Sequence, residues 1–344
     1  MFPYIGLYVF PALLALQRSA LRGPLMWVIG LLFTLIIGLR FEVGADWGNY
    51  LVHLYRVGEL SLFEVLRDSD PGYYFINWLT INIGAGIWLV NLVCAGLFVA
   101  GLGRFCQRMP EPFLALAVAT PYMAMVLAMG YTRQAAAFGL LLWALPYLFD
   151  RRSLNFLLTI TLAATFHKSA ILVLPLAVLA GTERRLTTVL WAGISTLVLY
   201  LLFLAEQVDS LWANYVESDY AMAAEGGAIR VLLNVTPAVV LLVFYRYFKM
   251  PAHIKPLWFW MAVFSLVALP LVFQAATAVD RVALYLMPIQ LVVWSHLPGL
   301  FHPRQRALIR LGIIAVYAAV LLVWLNFANH ASSWVPYQFY PLAV

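Results

Sequence analysis

Stretches of 16 to 20 predominantly apolar residues recur along this chain, and that recurrence restricts its fold more than any other feature. A helix rising 1.5 Å per residue needs about 20 residues to cross a hydrocarbon core about 30 Å thick. Backbone polar groups inside hydrocarbon must bond within their own segment or to a closed neighbour, so only helices and barrels span. These runs are too long and continuous for the short alternating strands of a barrel. They fall near 2–17, 24–39, 72–103, 112–129, 132–149, 154–166, 169–180, 186–206, 231–246, 257–275, 282–297 and 308–327. The pattern predicts an all-α, polytopic transmembrane helical bundle with about 12 membrane segments, within a range of 10–14. The range reflects two places. The run 72–103 is long enough to contain a kink or a re-entrant piece, and 154–180 reads either as two short helices or as one broken helix.

With 64% hydrophobic and 10% charged residues, against roughly 25% charged in soluble domains, the chain has no room for a separate soluble domain. Residues 1–344 are read as a single integral membrane domain, the N-terminus as a retained first helix. Cys94 and Cys106 lie in or beside one apolar segment and read as packing residues.

Charge orders the connections. The loops QRSALR, GRFCQRMPE, DRRS, TERR, YRYFKMPAHIK and HPRQRALIR hold 14 of the 21 Lys and Arg but only three of the 15 acids. By the positive-inside rule these loops are cytoplasmic and both termini face outward. Positive charge scattered through short loops is not the continuous basic surface that nucleic acid requires. Two longer outer loops are expected, near 40–71 and 206–230.

Four outer cations break the pattern by sitting at or inside helix ends. They are Arg40 in LRFEVGAD, Arg133 in GYTRQAAA, Lys168 in FHKSA and Arg281 in VDRVALY. Charge at such depth is costly and marks a cavity or a partner. Guanidinium forks and ammonium groups suit phosphate oxygens, so the set reads as an anion site. The competing reading pairs Arg40 with Glu42 or Asp46, and Arg281 with Asp280.

Between Gly44 and Gly48, Asp46 is a turn carboxylate, and Asp70 before Pro71 reads as a helix cap. His167 interrupts an apolar hairpin. Its imidazole titrates near neutrality, which makes it a candidate to take a proton from an attacking hydroxyl, with Asp46 as its rival. Tyr50, Tyr73, Asn77, Tyr131, Gln134 and Tyr285 are supporting polar and aromatic candidates around these groups. No P-loop, HExxH or clustered Cys and His pattern occurs, so no cofactor and no metal are expected.

Taken in order, GLRFEVGADWGNY, DPGYYFINW, YTRQAAA, FHKSA and DRVALYLMP resemble the EpsG family of exopolysaccharide biosynthesis membrane proteins, relatives of the Wzy-type polysaccharide polymerases. The resemblance implies a bacterial inner-membrane glycosyl polymerase of GT-C-like architecture. Its substrates would be undecaprenyl-diphosphate-linked oligosaccharides, joined at the periplasmic face, and its partners membrane lipids and a chain-length regulator or export proteins. In that chemistry Arg40, Arg133, Arg281 and Lys168 bind diphosphate, and His167 or Asp46 activates the hydroxyl. A glycan ligase or acyltransferase with another acceptor, or a flippase for the same lipid-linked sugars, are the alternatives.

Overall fold

The computed structural model describes residues 1–17, 22–175, 227–273 and 276–343, with isolated helical positions between 186 and 197. The chain opens with α1 (Phe2–Leu16) and α2 (Arg22–Gly38). Three short helices follow, α3 (Trp47–Val57), α4 (Leu62–Leu66) and α5 (Pro71–Asn82). Next come α6 (Ile87–Gln107), α7 (Pro112–Gly130), α8 (Thr132–Phe149) and α9 (Ser153–Phe166). Beyond a 3-10 turn at Lys168–Val173, the described chain resumes with α10 (Gly227–Val243) and α11 (Lys255–Leu271). It ends with α12 (Ala276–Ala283), α13 (Pro288–His296) and α14 (Arg306–Phe327).

The expected count of about 12 membrane segments is corrected. Among the described residues four helices are long and apolar enough to cross a bilayer: Ile87–Gln107, Pro112–Gly130, Val279–Leu300 and Arg306–Phe327. Five shorter apolar helices of 10–17 residues accompany them. Nor do the described residues form the GT-C-like architecture; apart from one isolated bridge between Arg40 and Phe339 they are helical, with turns and bends between. The physical reason lies in helix length: five of the apolar runs give helices of 10–17 residues, short of the roughly 20 that a crossing needs. The run 72–103 breaks between α5 and α6 at Gly84, whose φ is +70°, and α9 stops at His167, whose backbone is extended. The expected segment 186–206 lies outside the described residues apart from isolated positions, as do 176–180 and the outer loop near 206–230 up to residue 226.

Around a buried central helix the rest is packed. Every residue of α7 is buried, and its PFLALAVA start is small and apolar throughout. Pro121 has no N–H to donate and its ring crowds the preceding turn, and here the helix widens into a π-turn over Thr120–Leu127. Small residues set how closely helices approach when lipid is as apolar as leucine. A Cβ on Gly101 of α6 would lie 1.8 Å from the Gly139 carbonyl of α8, and one on Gly139 would lie 2.3 Å from Phe98 Cα. That contact holds α6 and α8 backbone to backbone, and α8 carries Arg133 at its start.

The tail closes the same end of the bundle. Phe41 N donates to Gln338 O at 3.0 Å, and Tyr340 N donates to Leu39 O at 2.8 Å. Trp334 is buried and donates from Nε1 to Met125 O at 3.0 Å within the π-turn. Gly44, at φ +110°, donates to Ser333 O at 2.8 Å; a side chain there would strike Met129 O.

Candidate functional site

Asp70 organises one end of the bundle. It occupies the N-cap position of α5, with Pro71 opening the helix, but its carboxylate makes no capping bond. Instead Oδ2 accepts from Arg133 Nη1 at 2.9 Å, and Oδ1 accepts from the Lys168 backbone N–H at 3.3 Å. The Asp70 side chain is 4% exposed and that of Arg133 is 27% exposed. One carboxylate thus ties together the starts of α5 and α8 and the turn after α9. It also leaves the Arg133 guanidinium partly open.

His167 lies within that frame. Its Nδ1 accepts from the Ser169 backbone N–H at 3.3 Å and lies 2.5 Å from Ser169 Oγ, which is 2.9 Å from the Tyr285 hydroxyl. A backbone N–H can only donate, so the Nδ1 lone pair faces it and the ring proton of the neutral imidazole belongs on Nε2. Burial, then the positive fields of Arg281, Arg133 and Lys168, push the imidazole well below its ordinary range. The ring is therefore neutral at pH 7 and offers Nε2–H as a donor beside three cations. To take a proton at Nε2 it would first have to move its own proton to Nδ1, against the Ser169 N–H.

A second group adjoins the first. Arg230 of α10 grips Asp280 of α12 with two bonds, Nε to Oδ1 at 2.6 Å and Nη2 to Oδ2 at 2.8 Å. Asp280 is thus held across helices by a residue 50 positions away. Arg281 lies 5.9 Å from the Tyr131 ring centroid, and its carbonyl accepts from Gln134 Nε2 at 3.5 Å. Tyr122, in the π-turn, is buried with a hydroxyl that has no hydrogen-bond partner among the described residues, and the fields of Arg230, Asp280 and Tyr131 reach it. Arg133, Lys168, Arg230 and Arg281 outnumber the two buried carboxylates Asp70 and Asp280, so the cluster itself is net positive.

An aromatic wall borders it. Tyr50 and Tyr73 rings lie 6.1 Å apart, Tyr73 and Tyr74 5.7 Å, and His53 and Tyr74 5.6 Å, with the Arg133 guanidinium 5.8 Å from Tyr73. Asn77 is fully buried and donates to the Tyr73 carbonyl at 2.8 Å. Asp46 is the N-cap of α3, accepts from Asn49 Nδ2 at 3.4 Å, and its field reaches both Tyr50 and Tyr131.

Arg40 is placed otherwise. It is 1% exposed, and its guanidinium donates to Ile37 O at 2.7 Å, Val43 O at 3.1 Å, Thr132 Oγ1 at 2.7 Å and Asn91 Oδ1 at 3.2 Å. It stitches the end of α2 to α6 and α8, through neutral acceptors rather than Glu42 or Asp46.

The structure therefore brings Asp70, Tyr73, Arg133, Gln134, His167, Lys168, Arg281 and Tyr285 together, with Asp46, Tyr50, Tyr131 and Asp280 alongside. The sequence reading passes over four residues of this end: His53, Tyr122, Ser169 and Arg230. Two had a usable signal. Ser169 follows His167 by two positions, within reach of a local side-chain bond, and His53 shares a face with Tyr50 three residues earlier on an amphipathic helix. Arg230 and Tyr122 have none, because Asp280, which Arg230 binds and whose field reaches Tyr122, is distant in sequence from both.

Fold and site together define a multi-pass α-helical membrane protein with a buried, net-positive polar cluster at one end of its bundle. The chain belongs to the EpsG family, whose profile matches residues 25–339, and so to a group of membrane proteins of polysaccharide biosynthesis. No curated relative and no solved structure matches the chain.

Proposed function

We propose that the protein is a glycosyl polymerase of the bacterial inner membrane, with the Arg133, Lys168 and Arg281 cluster at the periplasmic face. It transfers a growing glycan from undecaprenyl diphosphate to a hydroxyl of the next lipid-linked repeat. The bond between the anomeric carbon and the phosphate oxygen breaks, a glycosidic bond forms, and undecaprenyl diphosphate leaves. The reading rests on one observation above the others: the buried Asp70 carboxylate holds Arg133 at 2.9 Å and the backbone of the His167–Lys168 turn at 3.3 Å, with the Arg281 guanidinium 5.9 Å from the Tyr131 ring.

Negative charge grows on the departing diphosphate, so cations already fixed in a partly dry site bind the transition state better than the ground state. Arg133, preset by Asp70, and Arg281 and Lys168 receive the diphosphate oxygens, while His167 Nε2–H donates to one of them. Asp70 and Asp280 are each held by an arginine, which leaves Asp46 the better carboxylate to orient the accepting hydroxyl and take its proton. Arg40 is given a different part, the clamp that holds α2 against α8. Purified protein supplied with a defined undecaprenyl-diphosphate-linked repeat should release one undecaprenyl diphosphate per new glycosidic bond. Movement of the lipid across vesicles with no oligomer formed would favour a flippase and end this reading.

A further inference from the structure

An apolar cleft of about 370 Å³ opens between α2, α6 and α8, away from the polar cluster. Trp143, which lines it, lies ten residues further along α8 than Arg133, about 15 Å at the helical rise. Its walls include Gly30 and Phe33 of α2 and Gly96 and Gly103 of α6. Unlike Gly101, these α6 glycines do not bring helices together. A Cβ on Gly96 would meet nothing nearer than Thr34 Cγ2 at 4.0 Å, and one on Gly103 nothing nearer than Met26 Cγ at 4.0 Å. What they leave is room. Flanking Trp27 and Leu31 are 71% and 60% exposed, as side chains facing lipid should be.

One end of the cleft is charged. Arg104 lines it together with Gln107, its guanidinium 4.5 Å from the Trp143 ring and 4.3 Å from the Tyr147 ring. Arg108 takes both oxygens of Asp150 at 3.0 and 2.7 Å, and the fields of Arg104 and Arg152 reach the same carboxylate. Arg104 thus stands at the mouth of an apolar slot, with the Arg108–Asp150 pair and Arg152 close behind it. This is the end that carries the basic loops GRFCQRMPE and DRRS.

Length selects the occupant. From Gly96 to Gln107 the α6 wall runs about 16 Å at the helical rise, close to half of a hydrocarbon core about 30 Å thick. We infer that the cleft is a binding site for an anionic glycerophospholipid of the cytoplasmic leaflet. One acyl chain fills the slot beside Gly96 and Gly103, and the headgroup phosphate rests on Arg104 and Gln107. An undecaprenyl chain is longer than one leaflet is deep and would overrun the slot. The excess of arginine over acid favours a net-negative headgroup over a zwitterionic one.

Native mass spectrometry of the purified full chain, with phosphatidylglycerol and phosphatidylcholine of matched acyl chains at equal concentration, tests the site without any glycosyl-transfer readout. Wild-type protein should retain phosphatidylglycerol over phosphatidylcholine by about fivefold, the effect of one arginine near an anionic headgroup. Arg104→Gln should bring that ratio towards one, and Gly103→Leu should remove retention of both lipids. Gly96→Leu blocks the other end of the slot and serves if Gly103→Leu elutes as aggregate. Equal retention of the two lipids by wild type would overturn the proposal. So would phosphatidylglycerol retention unchanged in both folded leucine variants, or its displacement by equimolar undecaprenyl phosphate.

Discussion

Lys168 meets Asp70 through its backbone N–H and through the field of its ammonium, so its proposed ligand role is read at matched folded protein. At matched folded protein, Lys168→Ala should lower polymer formation by about 10- to 100-fold, read as undecaprenyl diphosphate released per minute. For Arg40 the readout is stability. Its guanidinium serves four acceptors in three directions, and an ammonium cannot reproduce that fork, so Arg40→Lys should lose thermal stability nearly as much as Arg40→Ala. Removing one buried charged hydrogen-bonding group costs about 3 kcal/mol on general grounds. Wild-type stability in Arg40→Lys would return Arg40 to the list of diphosphate ligands. The histidines give a pH signature. Burial and then the fields of Arg133 and Arg56 push His53 from 6.5 down to about 4, so between those values the unfolded chain binds the proton that the folded chain refuses. Stability should be complete above pH 6.5 and fall as pH drops towards 4, and His53→Gln should flatten that slope in a thermal melt. His167 is depressed for the same reason, so polymerisation rate should show no inflection near pH 6.5.

At the scale of elements the geometry depends on how closely α8 lies on α6. Gly101→Ala places a methyl against the Gly139 carbonyl and must push the helices apart, at a cost of about 1–3 kcal/mol or more. Folded yield and melting temperature should both drop, while Gly6→Ala, with open space around its Cβ, should change neither. This level also shows what could be read beforehand. FHKSA interrupts an apolar run, and its histidine does end α9; DPG does open α5. Both are local backbone chemistry. The span count was not legible, because a helix of 14 to 17 residues has the same composition as a longer one. Arg40 was misleading for a related reason: depth in the sequence shows that a charge needs partners, but not whether those partners are a ligand or the protein's own carbonyls.

The whole molecule separates its two chemistries. Polar and titratable groups gather where α5, α8, α12 and the turn after α9 meet, and the apolar cleft with its arginines lies towards the opposite ends of α6 and α8. The convergence at the first end joins residues from Asp70 to Tyr285, so no window of sequence could display it, although the order of the short motifs pointed to the family. The partners that complete it, Arg230 with Asp280 and Ser169 with Tyr285, are 50 and 116 positions apart. The most direct test of a diphosphate-handling site in a polymerase is a gel of products from purified protein and a single defined undecaprenyl-diphosphate-linked repeat. Wild type should give a ladder of oligomers, with Lys168→Ala and Arg133→Lys giving a faint ladder or none at matched folded protein. Wild-type protein that leaves the repeat unjoined, or ladders from both variants equal to wild type, would contradict it.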